Sequence, residues 1–358
     1  MTNQTRIHRL AETHALPDTD LLFLLDNMQP EDRSLLLRLS HETRMAHFGD
    51  RVFMRGLLEF TNHCACDCLY CGIRASNRNA VRYRLTGDDI LGACHAGYGL
   101  GYRTFVLQGG EDPWYTEDRI AELVRRIKSE LPDCAITLSV GERTERTYRL
   151  WFQAGADRYL LRHETASPRL YAALHPASMS LENRMRCLWD LKRIGYQVGA
   201  GFMVGLPGQT NEDLVMDLRF LADLQPHMVG IGPFIPHHDT PLAAEPAGTL
   251  DQTVTLLALL RLLLPNVLLP ATTALGSIDP LGREEGIRAG ANVVMPNLTP
   301  TRVRAQYLLY DGKICTGDEA AECRQCIERR IRKAGFSVDI SVGHHPDFQD
   351  SRSRGVDG

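Results

Sequence analysis

The sequence predicts an α/β fold, a complete (β/α)8 barrel of the TIM type with helices before it and an extension after it. Between residues 51 and 298, eight short apolar runs alternate with helical patterns, and the runs end in glycine or polar residues. Strands that are apolar on both faces are typical of a parallel sheet covered on both sides. Eight βα units in series favour closure into a barrel over an open sheet.

Each predicted strand is a short apolar run followed by a turn or helix signal. Two of the following helices begin with the Thr-x-x-Asp pattern of a capping box, at Thr86 and at Thr210. The eight predicted strands are residues 52–60, 104–108, 136–140, 159–162, 198–204, 228–234, 267–274 and 292–296.

Four segments follow from this pattern. Residues 1–50 are expected to form helices, because their leucines recur on apolar faces. Residues 51–298 form the predicted barrel, and residues 299–343 form an extension in which the βα rhythm stops. Residues 344–358 are polar and are expected to be a disordered tail.

Composition and charge exclude several classes of protein. A formal net charge of -4 gives no reason to expect nucleic acid or an anionic membrane as partner. The first ten residues lack the apolar segment of a secretory signal, and the most apolar stretch, residues 256–269, is too short to cross a bilayer. Ten clustered cysteines fit metal sites in a reducing compartment better than a disulfide framework, so we expect a cytoplasmic protein.

Three cysteines in one loop after the first predicted strand carry the clearest chemical signal. Cys64, Cys68 and Cys71 are spaced x3 and x2, and Tyr70 precedes the last of them. Three thiolates in one loop can hold three irons of a 4Fe-4S cluster and leave the fourth iron open to another ligand. In a (β/α)8 barrel the active site lies at the carboxyl ends of the strands, where this loop is expected.

Zinc and a disulfide are the plainer alternatives for this loop. Structural zinc sites usually have four closed ligands, and catalytic zinc usually includes histidine or carboxylate. His63 and Asp67 leave zinc open as an alternative, whereas the spacing favours the cluster. Cys66 falls between the three thiols, breaks their spacing and is interpreted as a bystander.

Several predicted strands end in polar or glycine residues where a plain core would have aliphatic ones. The second ends in Gln108-Gly109-Gly110, which allows a close backbone approach to a ligand, and the third carries Ser139. Tight turns are the plain alternative. Arg162 and Glu164 point the same way at the end of the fourth strand, as a ligand-contacting pair or as a simple ion pair.

The later strand ends carry further polar side chains. His237 and His238 suggest a metal, but neighbouring side chains on a strand diverge, so hydrogen bonding is the preferred interpretation. Thr272 and Thr273 end the seventh predicted strand, and their hydroxyls bind either a small polar substrate or nearby backbone. Met295 lies in the eighth predicted strand.

A second set of three cysteines lies in the extension. Cys315, Cys323 and Cys326 are spaced x7 and x2. Three thiolates suit a second iron–sulfur cluster, of the 2Fe-2S or 4Fe-4S type, and zinc remains an alternative.

The Cys-x3-Cys-x2-Cys loop with Tyr70 resembles the signature of the radical S-adenosylmethionine (SAM) enzymes. That resemblance implies SAM bound to the open iron of the 4Fe-4S cluster and cleaved by one electron to a 5′-deoxyadenosyl radical. Taken with the later motifs in their order along the chain, residues 50–330 resemble the HydE family of FeFe-hydrogenase maturases. The motifs are Gln-Gly-Gly-Glu-Asp, Arg-His-Glu-Thr, Gly-Leu-Pro-Gly-Gln-Thr, Gly-Ile-Gly-Pro-Phe-Ile-Pro-His, Pro-Ala-Thr-Thr-Ala and the late cysteines.

The HydE resemblance also implies roles for particular residues. Glu164 would bind the ribose of SAM and Arg184 its carboxylate. The full cofactor set it implies is Tyr70, Gly109, Gly110, Ser139, Arg162, Glu164, Arg184 and Ile231. The deeper substrate cavity would be lined by Arg158, Thr272, Thr273, Met295 and Tyr310.

By the same resemblance, the substrate is a small mononuclear iron complex that carries carbon monoxide, cyanide and cysteine and comes from HydG. The product would be a precursor of the diiron subcluster assembled on HydF, and a one-electron reductant would act as a further partner. Two alternatives from the same superfamily are a methylornithine-synthase-like mutase and a biotin-synthase-like sulfur inserter, for which Cys94, Cys134 and Cys187 are misplaced. An iron–sulfur carrier or scaffold without catalysis is the alternative from another class.

Overall fold

A parallel sheet of six strands forms the centre of the structure, a computed structural model that describes residues 1–349. The order β2-β3-β4-β5-β6-β8 follows the chain, and every neighbouring pair is parallel. The strands are β1 Arg51–Met54, β2 Gly56–Thr61, β3 Thr104–Gly109, β4 Ala135–Ser139, β5 Arg158–Leu160, β6 Gln197–Ala200, β7 Met203–Val204, β8 Met228–Val229, β9 Gly232–Pro233, β10 Val293–Val294 and β11 Ser337–Asp339.

Helices connect successive strands of the six-stranded sheet, as parallel pairing requires. Both predicted capping boxes are confirmed: Thr86 and Thr210 accept from the backbone of Asp89 and Asp213, whose side chains accept in return. The helices are α1 Asn3–Thr13, α2 Asp18–Asp26, α3 Pro30–Phe48, α4 Gly87–Gly99, α5 Glu117–Glu130, α6 Glu145–Ala154, α7 Pro168–Leu174, α8 Leu181–Ile194, α9 Asn211–Leu224, α10 Leu250–Leu263, α11 Thr273–Ile278, α12 Gly282–Arg288, α13 Thr301–Arg304 and α14 Ala320–Lys333.

The TIM-type fold is confirmed, but the continuous ladder covers six strands, and a closed ladder of eight is not found in the described residues. Isolated bridges join Met228 to Leu268, Pro270 to Val293 and Leu57 to Asn297, which brings the remaining segments beside the sheet. The predicted strand at 267–274 is therefore wrong as a continuous strand. Proline has no N–H to donate to a ladder, and α11 already begins at Thr273.

The predicted first and eighth strands are shorter or divided in the structure. Residues 52–60 form two strands, because the pairing partner changes at Arg55: β1 pairs with β10 and β11, and β2 pairs with β3. Within 292–296 only Val293 and Val294 are strand residues. β7 and β9 form a separate pair beyond the ends of β6 and β8.

Three N-terminal helices pack against the helical layer, in the region predicted to be helical. α3 packs along α10, and the buried Ser40 hydroxyl donates to the Ala289 carbonyl at 2.8 Å. His14, just after α1, hydrogen-bonds the Leu262 carbonyl at 2.8 Å. None of the helices in residues 1–349 is long and apolar enough to span a membrane.

The expectation of a disordered tail is wrong for residues 344–349. His345 is buried, and its backbone N–H donates to Gln197 Oε1 at 2.9 Å. His344 stacks on Phe348 with ring centroids 5.4 Å apart. Histidine and phenylalanine within a polar stretch were the overlooked signal, because both rings can pack against the barrel. Residues 350–358 lie outside the described part of the chain.

Gly201 is a position where the site depends on close backbone packing. A β-carbon there would lie 2.0 Å from the Gly230 carbonyl oxygen, so the ends of β6 and β8 would have to separate. We expect Gly201→Ala to lower the free energy of unfolding by about 1–3 kcal/mol, measured by urea denaturation. Gly92→Ala is the control, because no heavy atom lies within 4 Å of its new methyl group. Equal denaturation midpoints for the two variants would contradict this account.

Candidate active site

The cysteine loop begins at the carboxyl end of β2 and is held against the end of β3. Ala65 N–H donates to the Glu111 carbonyl at 2.9 Å, and Glu111 N–H donates to Cys64 Sγ at 3.4 Å. Gly110 makes this approach possible, since a β-carbon there would lie 2.2 Å from the His63 carbonyl oxygen. The loop is thus fixed by backbone contacts, and one thiol already accepts an N–H bond.

The thiols of the loop differ in their protonation chemistry. A hydrogen bond from Cys66 lowers the pKa of Cys64 to about 7, and the same bond raises the pKa of Cys66. Burial raises the pKa of Cys68 to about 12 and raises that of Cys71 further. Three thiolates here therefore need a cationic centre to stabilise them, as cluster irons do.

The sulfurs of each cysteine set are not gathered tightly around one point. In residues 1–349, three ligand atoms within 4.8 Å of one another occur once, at His237, His238 and Asp239. The three sulfurs of either cysteine set are therefore spread more widely than that. Four sulfurs around one zinc would lie closer together, since each Zn–S bond is about 2.3 Å.

The adjacent histidines form hydrogen bonds, as the sequence led us to expect. His237 Nδ1 accepts from Asp239 N–H at 3.0 Å, so the ring proton lies on Nε2 and leaves no lone pair there for a metal. His238 Nδ1 lies 2.7 Å from an oxygen of Asp311.

A cavity of about 240 Å³ extends from the cysteine loop into the sheet. Tyr70 and Cys71 line it at the loop, and the Tyr70 hydroxyl lies 3.0 Å from His175 Nε2. His175 Nδ1–H donates to the Tyr171 carbonyl at 2.9 Å, so Nε2 is the acceptor for Tyr70. Burial lowers the pKa of His175 to about 4, which keeps the ring neutral.

Arg162 and Glu164 also line the cavity, with 3.1 Å between Arg162 Nη2 and Glu164 Oε2. One N–H of that nitrogen donates to the Phe202 carbonyl at 2.8 Å, and the contact with Glu164 is an ion pair without a hydrogen bond. Glu164 Oε2 is buried without a hydrogen-bond partner in the described residues, and Glu164 has a φ of 67°. A buried carboxylate oxygen without a donor is costly unless a ligand supplies one, and the hydroxyl groups of a ribose fit that need.

Arg184 lies behind this pair and does not line the cavity. Its Nη1 donates to the Arg162 carbonyl at 2.9 Å, and its Nε donates to Glu142 Oε1 at 2.5 Å. Its charge is therefore already paired with Glu142, a residue that the sequence analysis did not single out.

The other predicted cofactor residues lie at the strand ends without lining the cavity. Ser139 is half-buried opposite Gln108, whose side chain does line it. Ile231 is fully buried in the core, and the glycines on either side of it line the cavity. The side chain of Ile231 therefore packs away from a ligand. Gly109 packs against Thr61, where a β-carbon would lie 2.7 Å from a methyl group.

Four of the five predicted substrate residues line the deeper part of the cavity: Thr272, Thr273, Met295 and Tyr310. Thr272 Oγ1 is buried without a hydrogen-bond partner among the described residues, so it is available to a ligand. Apolar side chains form most of the remaining wall, among them Leu57, Met203, Met228 and Phe234.

Three charged residues of this wall were missed. Glu59 and Lys313 form an ion pair of 2.6 Å with both side chains almost fully buried, and Asn297 donates to the second carboxylate oxygen at 3.0 Å. Arg283 is the third, with its Nη2 3.3 Å from Thr273 Oγ1. A glutamate within the apolar run of β2 was the available signal, because a buried charge needs a partner.

Several known proteins are similar to this chain in sequence or in fold. A sequence model described as the Radical SAM superfamily matches residues 58–221. The chain is 50% identical over 300 residues to the [FeFe] hydrogenase maturase subunit HydE of Thermotoga maritima, which covers 84% of this chain and 85% of the relative. It is 32% identical to 3-methylornithine synthase of Methanosarcina acetivorans, over 80% of this chain and 81% of that one.

This chain belongs to the HydE family of radical SAM enzymes. A 4Fe-4S cluster and SAM follow from the family. The loop of Cys64, Cys68 and Cys71 suits the cluster, and the Glu164 oxygen that accepts no hydrogen bond from the described residues suits SAM. The alternative of a carrier without catalysis is excluded by this membership.

Two solved structures share the fold of this HydE-family chain. Methylornithine synthase (PylB) superposes with a TM-score of 0.79 at 28% identity, covering 93% of this chain and 97% of that one. HydG, described as a maturase of the [FeFe]-hydrogenase, superposes with a TM-score of 0.81 at 18% identity, covering 95% and 77%. At that identity HydG is evidence for the fold alone.

Arg158 does not line the cavity of this HydE-family chain, contrary to prediction. It is the first residue of β5, so its side chain lies at the opposite end of the sheet, in a small separate cavity with Arg55 and Thr137. Its Nη2 donates to the carbonyls of Val342 and Gly343 at 2.8 and 3.1 Å. The charge thus ties the C-terminal segment to the sheet.

The late cysteines adjoin the wall of the substrate cavity. Cys315 Sγ lies 3.7 Å from Arg283 Nη1, and a second small cavity is lined by Cys315, Cys323, Thr273 and Met295. A hydrogen bond from Cys323, with help from the Arg283 charge, lowers the pKa of Cys315 to about 5. Cys326 is half-buried one helical turn after Cys323 on α14.

The neutral state of His175 should make stability depend on pH. Its pKa is about 4 in the folded protein against 6.5 in an unfolded chain, so stability from the neutral ring is lost as pH falls below 6.5. The free energy of unfolding should fall by about 1.4 kcal/mol per pH unit for one such group, down to the folded pKa.

We expect His175→Asn, which keeps a donor for the Tyr171 carbonyl, to reduce this slope between pH 6.5 and 5 in urea titrations. His8→Asn is the control, because His8 is exposed on α1. A slope that is the same in His175→Asn and in the wild type would show that this ring is charged in the folded protein.

Proposed function

We propose that this chain uses SAM-derived radical chemistry on a mononuclear iron complex bearing carbon monoxide, cyanide and cysteine, and that the product is the precursor of the diiron subcluster of FeFe-hydrogenase. The observation that carries the proposal is one continuous cavity that joins the cysteine loop to a polar pocket deep in the sheet. With the cluster and SAM bound, the site supplies a 5′-deoxyadenosyl radical. The protein's own side chains bind and orient the ligands and exclude water.

At the loop end of the cavity, the side chains suit a nucleoside. Glu164 offers the ribose hydroxyls a carboxylate oxygen that accepts no hydrogen bond from the described residues, and Tyr70 is oriented by His175. The carboxylate of SAM fits beside Arg162, whose Nε is buried without a hydrogen-bond partner among the described residues. Arg184 then acts mainly through Arg162, since its own charge is bound to Glu142.

At the deep end, the side chains suit a small anionic complex with polar ligands. Thr272 offers a free hydroxyl, and Arg283 is a cation that forms no ion pair with a carboxylate in residues 1–349. Lys313 is held by Glu59, which fixes one more cation in the wall. The apolar residues between the two ends exclude water, which protects a radical from side reactions.

We further propose roles for two partner proteins, for a reductant and for the late cysteines. HydG supplies the iron complex, HydF receives the product, and a one-electron reductant acts on the cysteine-bound cluster. Cys315, Cys323 and Cys326 hold a second iron–sulfur cluster, of the 2Fe-2S or 4Fe-4S type. The lowered pKa of Cys315 and its contact with Arg283 support a thiolate ligand there.

A methylornithine-synthase-like mutase is the second candidate. The 32% identity to 3-methylornithine synthase and the similarity to the PylB structure favour it. Against it stand the higher identity to HydE and the late cysteines beside the cavity wall.

The radical step is tested at the cysteine loop. Reconstituted and reduced protein should cleave SAM to 5′-deoxyadenosine, and Cys68→Ala should abolish the product, because two thiols cannot hold the cluster with its open iron. Cys66→Ala should retain most of the activity, measured by chromatography of 5′-deoxyadenosine. Cleavage that survives in Cys68→Ala, or is lost only in Cys66→Ala, would overturn the ligand assignment.

The substrate is tested by reconstitution. An in vitro maturation mixture with HydF, HydG and apo-hydrogenase should produce hydrogen only when this protein is added. The Thr272→Val variant should lower the yield about tenfold, because it removes the free hydroxyl of the deep pocket and keeps its shape. Hydrogen evolution that is equal without the protein, together with formation of 3-methylornithine by the protein, would establish the mutase instead.

A further inference from the structure

A hydrogen-bonded pair of buried side chains, His163 and Asp217, lies beside Glu164 and has no part in the cavity wall. His163 directly precedes Glu164 after the end of β5, and Asp217 lies on α9. Both side chains are fully buried, and His163 Nε2 is 3.1 Å from Asp217 Oδ1. Neither residue lines the 240 Å³ cavity, so the pair can act on a ligand only through other residues.

The hydrogen bonds of His163 fix which ring nitrogen carries the proton. Gly201 N–H donates to Nδ1 at 3.4 Å, so Nδ1 is the acceptor and Nε2–H donates to Asp217. Burial lowers the pKa of His163 to about 3, which keeps the ring neutral and lets Nδ1 accept. The ring also packs edge-on against Phe220 of α9, with centroids 4.9 Å apart. His163 therefore joins the turn after β6 to α9.

One oxygen of Asp217 holds the chain on both sides of Glu164. Asp217 Oδ1 accepts from the His163 ring, one residue before Glu164. It also accepts from the Ala166 backbone N–H, two residues after Glu164, at 2.5 Å. Asp217 Oδ2 has no hydrogen-bond partner among the described residues, so Oδ1 makes both contacts. Residues 163–166 thus form a turn whose two ends meet at one buried atom.

Glu164 needs such support, because its backbone is in the left-handed region. Residues other than glycine rarely adopt its φ of 67°, and this conformation persists where surrounding contacts impose it. The Glu164 N–H donates to the Gly201 carbonyl at 3.1 Å, and the Glu164 carbonyl accepts from Met203 N–H at 3.0 Å. These bonds hold the backbone from the side of β6, and Asp217 holds it from the side of α9. In this conformation the Glu164 side chain lines the cavity.

We propose that Asp217 and His163 are positioning residues that set the affinity for SAM by holding Glu164 in this conformation. Without the two bonds to Asp217 Oδ1, the turn can relax toward an ordinary backbone conformation. The Glu164 carboxylate then no longer stands ready for the ribose hydroxyls, and binding must supply the cost of ordering it. This inference rests on the proposed contact between Glu164 and the ribose of SAM.

The test measures SAM binding to the cluster-reconstituted protein by equilibrium dialysis, without a reductant, so that SAM stays intact. Asp217→Ala removes the shared acceptor, and we expect it to weaken SAM binding about tenfold or more. Asp217→Asn keeps an acceptor oxygen and should bind SAM within about twofold of the wild type. His163→Phe keeps an aromatic ring against Phe220, loses one of the two bonds to Asp217 and should weaken SAM binding about threefold.

A double-mutant cycle separates action through Glu164 from a general effect on the fold. The Glu164→Ala variant already lacks the ribose-binding carboxylate, so adding Asp217→Ala to it should cause no further loss of SAM affinity. Asp157→Ala is the matched control, because Asp157 is also buried but lies just before β5, at the opposite end of the sheet. It accepts from Ile136 N–H at 2.7 Å. Its removal should lower the urea denaturation midpoint and leave SAM affinity unchanged.

Wild-type SAM affinity in Asp217→Ala would overturn the inference, as would a loss in Asp217→Asn as large as that in Asp217→Ala. Equal losses in Asp157→Ala and Asp217→Ala, or additive losses in the double variant, would also contradict it. If Asp217→Ala does not fold, wild-type affinity in His163→Phe decides against the inference. A wild-type protein that holds the cluster and binds no SAM would instead overturn the proposed function.

Discussion

The close approach of the cysteine loop to the end of β3 is the constraint on which the rest of the site depends. Gly110 allows it, because any larger residue would push the His63 carbonyl away. The approach brings Glu111 N–H to Cys64 Sγ and fixes the start of the loop. Since β2 and β3 are neighbours in a parallel sheet, the loop then lies over the carboxyl ends of the strands, where the side chains of the later strands converge.

Some buried charged side chains in this chain form closed ion pairs, and others keep a polar atom without a hydrogen-bond partner among the described residues. Glu59 pairs with Lys313 in the wall and Arg184 pairs with Glu142 behind it, and removing one partner of such a buried pair typically costs about 3–5 kcal/mol. Glu164 differs, because its ion pair with Arg162 contains no hydrogen bond and Arg162 donates to a backbone carbonyl. The distinction separates residues that build the cavity from those that remain available to a ligand.

Much of the fold and of the metal loop could be predicted from the sequence, because those signals are local. Strand runs, capping boxes and cysteine spacing depend on neighbours within a few residues, and they located β3 to β6 and the loop well. What failed depends on distant parts of the chain. Whether Arg158 faces the mouth or the opposite end depends on where β5 begins. Residues 344–349 are held by residues far away in sequence, among them Gln197 on β6, His227 and Asn266. The pairing of Glu59 with Lys313 joins residues far apart in sequence, so no local pattern reports it.

The two ends of the sheet differ in function: one end carries the cavity, and the other binds the C-terminal segment. At the carboxyl end, glycines and unpaired polar atoms leave room for ligands, and that end carries the cysteine loop. At the opposite end, the guanidinium of Arg158 binds the carbonyls of Val342 and Gly343, so the space is filled by the chain's own backbone. The segment bound there directly follows β11, which pairs with β1, and β11 follows α14, which carries Cys323 and Cys326. The extension thus runs between the two ends of the barrel, from Cys315 and Cys323 beside the cavity wall to the residues that Arg158 binds.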